Sequence, residues 1–326
     1  MARREACTGG QVAMRDEFGL IGEIGDIDQF LRITTDETLR ETVPRGTDDF
    51  PLGFYDEDVY VFDFHCIDWH WHSEIELVYL EEGTFTALIG ADKVTVNAGQ
   101  ALFINSQVIH RFEAEGHAII PNIVFSPDVI ASEDSLIFKK YIIPVLNMPA
   151  EYILFDKHTE WMDEALSSII SLFKVLRENK VKGINCEFKI VQTLMTIWEL
   201  IYNNCQEGES DRRQISNAHS QGQLQIMMQF IQDHYREHIS LNDIAETVSL
   251  GTSSVLKLFK KYLHISPIEY LIQYRIKNAV KFLDNTDDGI ALIAANCGFD
   301  NIGYFCRKFK AIMGVTPSQH RKKSNS

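Results

Sequence analysis

The apolar positions divide the chain into a β-patterned half and a helical half. From Phe54 onward, short alternating or β-rich runs succeed one another: VYVFDFHCI, EIELVYLEEG, TFTALIG, KVTVNAG, QALFINS, HRFEAEG and HAIIPNIVFS. Glycines and polar turns separate them at roughly 8–12-residue spacing, the signal of an antiparallel sandwich or small barrel. After a connection around 126–152 the apolar period becomes helical. Trp161, Leu166, Ile169, Ile170, Phe173 and Leu176 form a stripe over 159–179, and Phe188, Val191, Leu194, Met195, Trp198 and Ile201 form another over 185–203. These predict two helices packed on the barrel and on each other. Residues 204–221 are polar and aperiodic, and predict an interdomain linker. Residues 1–50 are acidic with scattered glycines and predict a partly flexible arm. Gly19, Gly22 and Gly25 lack the preceding strand that a phosphate loop requires.

From Leu224 the pattern is helical again. LQIMMQFIQDHYREH is followed by Ser240-x-x-Asp243, a capping box that opens LNDIAETVS, then a turn at Ser249-Leu250-Gly251 and the helix TSSVLKLFKKYL. Val255 and Phe259 share its inner face, while Ser253, Ser254, Leu256, Lys257 and Lys260 point away. Pro267 then starts a helix of 17 residues to Leu283, about 25 Å at 1.5 Å per residue. The last stretch, IALIAANCGFDNIGYFCRKFKAIMGVTPSQHR (290–321), repeats the arrangement. Ile290, Ile293 and Ala294 recur at helical spacing, Gly298 permits a left-handed turn, Asp300 is placed to cap the next helix, and Tyr304, Phe305, Phe309 and Ile312 resume the apolar face. Asn301, Ile302, Cys306, Arg307 and Lys310 face outward, and Pro317 closes the unit. The chain therefore reads as two helix-turn-helix units in tandem, each with a polar, basic outer face suited to a major groove.

Charge sharpens the division. The formal net charge is −15, but residues 1–220 hold 18 Lys/Arg against 37 Asp/Glu, and residues 221–326 hold 13 against 9. The basic excess lies with the helix-turn-helix units, and the acidic half disfavours unspecific association with DNA. The six cysteines (Cys7, Cys66, Cys186, Cys205, Cys297, Cys306) show no CxxC spacing, which suits reduced thiols in a cytoplasmic protein. No apolar run reaches the length of a membrane span, so no membrane partner is expected.

The wording GFDNxxYFxRxFK followed by GxTPSxxR resembles the signature of the AraC/XylS family of bacterial transcription regulators. Gly303 stands where that family usually has Ser, Cys306 where another small polar residue is common, and Gly251 where Ser is usual at the first turn. The resemblance implies sequence-specific binding to promoter DNA by Ser253, Ser254, Lys257, Lys260, Asn301, Ile302, Tyr304, Arg307 and Lys310. Arg307 is the candidate guanine reader, Asn301 can pair with adenine or phosphate, Ile302 can touch a thymine methyl, and Lys257, Lys260 and Lys310 suit phosphates. It also implies a homodimer through the helices after the barrel, RNA polymerase as a further partner, and a regulator rather than an enzyme.

In the β-patterned half, His70-x-His72, Glu76 and Gly83 match the first cupin motif in spacing, and Gly99 with His110 matches the frame of the second. Asn105, Gln107 and Ala114 replace the Pro, Gly and Asn usual there. The resemblance implies a jelly-roll barrel over roughly 54–130. Metal-binding cupins use two such His, the Glu and the later His as ligands, so His70, His72, Glu76 and His110 are a candidate set for Fe, Mn, Ni or Zn. Regulators of this type also use the same wording to contact a small effector, without an obligatory cofactor. A third reading is hydrogen bonding within the barrel alone. Trp69, Trp71, Tyr79, Phe85 and Phe112 offer walls for a sugar-like effector, although alternation puts Trp69 and Trp71 opposite His70 and His72.

The expected architecture is thus α+β in two domains: an arm over 1–50, a cupin-like effector-binding and dimerisation domain over 51–203, a linker over 204–221 and a double helix-turn-helix domain over 222–326. The alternatives are a metal-dependent cupin enzyme fused to a DNA-binding domain, and a constitutive DNA-binding dimer without effector.

Overall fold

A computed structural model describes residues 33–36, 38–182, 186–205 and 211–324. Most of the predicted arm and residues 206–210 of the predicted linker lie outside the described residues. The chain forms two compact units, one centred on the β-strands and one holding Asp211–Ser326.

Nine strands build the first unit: β1 (Leu52–Asp58), β2 (Cys66–His70), β3 (Ile75–Tyr79), β4 (Thr84–Ile89), β5 (Asp92–Asn97), β6 (Ala101–Ile104), β7 (His110–Glu113), β8 (Ile119–Phe125) and β9 (Tyr152–Phe155). They form a five-stranded sheet in the order β1-β8-β3-β6-β9 and a four-stranded sheet in the order β2-β7-β4-β5. Apart from β4 and β5 in one sheet and β8 and β9 in the other, consecutive strands sit in different sheets, as in a jelly roll. Between β8 and β9 lie a π-helical turn (Phe138–Ile142) and the short helix α1 (Ile143–Leu146); after β9 come α2 (Glu160–Lys182) and α3 (Glu187–Asn204).

Alternation on the five-stranded sheet decides what each face does. Ile75, Leu77, Ala101, Phe103, Ile123, Phe125, Ile153 and Phe155 pack with Leu166, Ile169, Phe173, Leu194, Trp198 and Ile201 of α2 and α3 in one buried cluster. The main apolar core is therefore sheet against helices. The other face, carrying Glu76, Val78, Leu102, Asn122 and Val124, turns towards the barrel interior. Tyr79 lies on the helix side, 6.4 Å from the ring of Phe173, so it is not a wall of the barrel interior.

Three expectations are corrected here. The run VYVFDFHCI is not one strand: Val59–Val61 and Asp63–His65 are 3-10 turns, and Phe64 and His65 take φ of 60° and 54°. The strand preceding it, β1, is held to β8 by a register running from Leu52↔Phe125 to Asp58↔Ile119. The connection 126–152 contains helical turns and leads directly into β9, which pairs with β6. Ile170, Phe188 and Met195, counted in the apolar stripes, are 41%, 84% and 40% exposed.

The second unit is all helical: α4 (Asp211–His234), α5 (Leu241–Glu246), α6 (Thr252–Tyr262), α7 (Pro267–Asn285), α8 (Ile290–Asn296), α9 (Ile302–Met313) and α10 (Pro317–Ser324). α4 begins at Asp211, so residues 211–221, expected as linker, are helical. α7 runs 19 residues, two more than expected. No described helix is long and apolar enough to cross a membrane.

Candidate functional site

Local chemistry places both recognition helices. Ser240 accepts from the Asp243 amide and Asp243 accepts from the Ser240 amide, closing the box that starts α5. Ser249, with φ of 53°, turns the chain, and Gly251 caps α6 without a side-chain bond. α6 buries Val255, Phe259 and Tyr262. A second box, Ser266 with Glu269, starts α7 at Pro267. In the second unit Ile293, Ala294, Phe305 and Phe309 are buried, and the Phe305 and Phe309 rings meet edge to face at 5.7 Å. Side chains then tie the pieces together. Arg275 on α7 donates to the carbonyls of Tyr235 (2.6 Å) and Glu237 (2.7 Å) beyond α4, and His320 on α10 meets Asp284 at 2.9 Å.

The cap of α9 is corrected. Asn301, not Asp300, takes the N-cap: its φ of −127° and ψ of 111° are extended, and its Oδ1 accepts from the Tyr304 amide at 2.9 Å. Asn301 therefore spends its acceptor on the helix it starts. A Cβ at Gly303 would lie 3.2 Å from this same Oδ1, which gives the glycine at that position a local reason. Asn301→Ala is expected to cost about 1 kcal/mol of stability through the lost cap, read as a lower urea midpoint by circular dichroism; an unchanged midpoint would contradict the assignment.

Ser253, Ser254, Lys257, Lys260, Asn301, Ile302, Tyr304, Arg307 and Lys310 are all exposed. The first four lie on α6, the others on α9 or its cap, and each set sits opposite the buried Phe of its helix. Within the sets, Lys260 Nζ donates to the His264 carbonyl at 3.0 Å, and Lys308 stands 5.7 Å over the Tyr304 ring. Lys308 was not among the predicted contacts, though its spacing from Tyr304, i to i+4, signals the pairing. Cys297 is buried and its thiol is pushed up to about 11 by that burial; Cys306 is half-buried.

The barrel gathers the other four predicted residues. His70 ends β2, His72 follows it, Glu76 lies on β3 of the opposite sheet and His110 opens β7, directly across from His70 in register. All four are at most 5% exposed, and one ligand atom from each lies within 4.8 Å of the others. His110 Nε2 is 3.0 Å and His72 Nε2 3.4 Å from Glu76 Oε2. Burial works against the Glu76 charge, but the imidazoles of His110 and His72 beside it hold its carboxyl well below the usual range, so it is ionised. Burial, reinforced by His110 and His72, pushes His70 well below the usual imidazole range, so its ring is neutral near pH 7.

A layer that sequence reasoning missed fixes the rings. The Nδ1 of His70, His72 and His110 lies 2.8, 3.1 and 2.9 Å from the carbonyls of Asp68, Glu74 and Val108. A carbonyl only accepts, so each Nδ1 carries a proton. Each carbonyl is two residues from its His, a spacing with no side-chain signature. Around the cluster, Phe112 stands 5.6 Å from His110 and 5.0 Å from Phe85, both buried. Trp69 is buried and Trp71 half-buried. Asn105 is drawn outward, donating to the Val145 and Leu146 carbonyls at the end of α1, and Gln107 takes φ of 63° where a cupin usually has Gly.

Comparison with known proteins agrees with both units. A helix-turn-helix domain family matches residues 244–323, and a cupin domain family matches residues 66–122. The HTH-type transcriptional regulator YdeC of Bacillus subtilis is 26% identical over 292 residues, covering 88% of this chain and 97% of its own. The melibiose operon regulatory protein of Escherichia coli is 23% identical over 268 residues, covering 78% and 83%. A solved AraC-type transcriptional regulator structure from Chromobacterium violaceum is 28% identical over 33% of this chain and 96% of that one, with a TM-score of 0.31. The chain carries the domain pair of AraC/XylS-family transcription regulators, and its relatives belong to that family. It is a helix-turn-helix transcription regulator, and its relatives are regulators rather than enzymes. AraC-type helix-turn-helix domains bind promoter DNA, and this chain carries two such units joined by α7.

Proposed function

We propose that this AraC/XylS regulator reads two successive major grooves of a promoter with α6 and α9, and that a small effector bound in the barrel through His70, His72, Glu76 and His110 controls the binding. The observation that carries the DNA reading is the pairing of faces: α6 and α9 each bury an aromatic core face and expose every predicted DNA-contacting residue opposite it. At 19 residues α7 is about 28 Å long, a length that suits a separation of roughly one DNA turn, about 34 Å, once flanking turns are added.

Arg307, exposed on α9, supplies a fork that fits guanine O6 and N7. Arg307→Ala is expected to weaken specific binding by roughly 1–3 kcal/mol and to relax preference at one base pair. A fluorescence titration against specific and random duplexes measures this, and equal losses on both would contradict the role.

For the effector, support comes from the buried polar cluster itself and from a relative named for the melibiose operon, which favours a sugar or related polar metabolite. A homodimer is supported by the apolar side chains left exposed after the barrel: Ile137, Tyr141, Phe188 and Met195 line a groove of about 510 Å³ between the π-helical turn and α3. Sedimentation equilibrium reads this directly, a monomer at all concentrations contradicting it. RNA polymerase is the partner an activator of this family would engage at the promoter.

A further inference from the structure

Aligned on their buried residues, the two recognition helices turn different chemistry outward. Val255 and Phe259 of α6, like Phe305 and Phe309 of α9, are buried and four residues apart. Leu256, Lys257 and Lys260 therefore stand where α9 has Cys306, Arg307 and Lys310. On α9 the arginine dominates. A Cβ at Gly303 would lie 3.6 Å from Arg307 Nη1, so the guanidinium lies back along the bare glycine towards the first turn, the part of a recognition helix that meets base edges. Its rigid fork suits guanine.

No such fork exists on α6. Its sequence, TSSVLKLFKKY, contains no Arg, Asn, Gln, Asp or Glu, the side chains whose fixed donor and acceptor patterns tell one base edge from another. Lys257 offers a mobile point charge that serves a phosphate as well as a base. Lys260 and Lys261 donate to the His264 carbonyl and the Tyr262 hydroxyl, both at 3.0 Å. The hydroxyls of Ser253 and Ser254 donate and accept alike, so they fit any edge. Leu256 is the exception. It is 42% exposed, three residues after Ser253 and four before Lys260, which puts it on the same outward side. Of the four bases only thymine presents a methyl group in the major groove, and an aliphatic side chain gains there by shedding water.

We infer that Leu256 packs on a thymine 5-methyl group and sets the sequence preference of the half-site under α6. The operator then joins a thymine contact under α6 to a guanine contact under α9, about one helical turn away. The inference rests on the DNA reading above and names what one of its two helices recognises. Because the two helices differ, they also fix the direction in which a single chain lies along the duplex.

The test uses the full chain and the duplexes it recovers from a random-sequence pool. In the best of these, each thymine is replaced in turn by uracil, which removes the methyl group and keeps the base pairing. One replacement, about one turn from the base pair at which Arg307→Ala loses its preference, is expected to weaken binding about 4-fold, the loss for one buried methyl. Leu256→Ala is expected to bind the thymine duplex more weakly and the thymine and uracil duplexes alike. The slope of its affinity against salt stays unchanged, because no phosphate contact is lost. Lys257→Ala is expected to reduce that slope by about one and to keep the thymine preference. Leu256→Gln provides a second variant should the alanine fail to fold, and is expected to lose the thymine preference as well. A uracil scan without effect in that half-site would overturn the inference, as would a thymine preference that Leu256→Ala and Leu256→Gln retain. Unchanged affinity of Leu256→Ala on every duplex also overturns it and assigns the side chain to a protein partner. Failure of the pool to yield any enriched duplex is a different result, which defeats the DNA reading itself and the inference with it.

Discussion

Gly298→Ala is expected to destabilise the DNA-binding unit by about 2–5 kcal/mol and to abolish specific DNA binding at 37 °C. Gly298 sits in the turn between α8 and α9 with φ of 79°, a left-handed conformation that costs a residue with Cβ roughly 1–2 kcal/mol. The space is closed as well: a Cβ there would lie 2.6 Å from the Tyr235 carbonyl oxygen, 2.9 Å from that of Arg236 and 3.0 Å from Arg236 Cα. All three are backbone atoms, so no side chain can swing aside, and such overpacking adds about 1–3 kcal/mol. The position matters because the turn of the second helix-turn-helix docks here against the end of α4. Arg275 donates to the same Tyr235 carbonyl, so pushing the turn away disturbs the strut from α7 too. Urea unfolding followed by far-ultraviolet circular dichroism measures the loss, and a change under about 0.5 kcal/mol would show that the turn is not fixed against α4.

The second large effect is expected in the other unit. Phe103→Ala removes a side chain 1% exposed on β6, whose ring meets Trp198 of α3 edge to face at 6.2 Å. A buried Phe truncated to Ala costs about 3–5 kcal/mol, part of it for the cavity left behind. Trp198 donates Nε1–H to the Tyr141 carbonyl at 3.0 Å, so the lost ring loosens a tryptophan that also anchors the π-helical turn. All four tryptophans lie before residue 199, and tryptophan fluorescence during urea unfolding therefore reports this unit. A loss under about 1 kcal/mol, far below the usual range, would contradict the placement of the main core between sheet and helices.

What the sequence made legible was local. The capping box at Ser240, the proline at the start of α7 and the glycine turn at Gly298 each act within a few residues, and each is found where the pattern put it. The motif spacing likewise brought His70, His72, Glu76 and His110 into one cluster. The misses were decided by distant partners. β1 reads as LGFYDED, too acidic to stand out as a strand, and is held by seven residues of β8 that follow more than sixty positions later. β9 has only four residues and owes its place to the edge of β6. The cap of α9 was misplaced by one residue because Asp300 and Asn301 are equally good caps, and only the backbone angles choose between them. Tyr79 was placed with the barrel walls although it shares its face with Ile75 and Leu77, which pack on α2 and α3.

The central claim is that paired helix-turn-helix units read DNA, and the most direct measurement is a titration of the full chain against DNA upstream of its own and neighbouring genes, with excess random DNA and a salt series. The account predicts tight binding to one site, a footprint of two helical turns per monomer and an affinity that falls steeply as salt rises. Binding no tighter than to random DNA at every upstream site, with and without metal and polar metabolites, would contradict it.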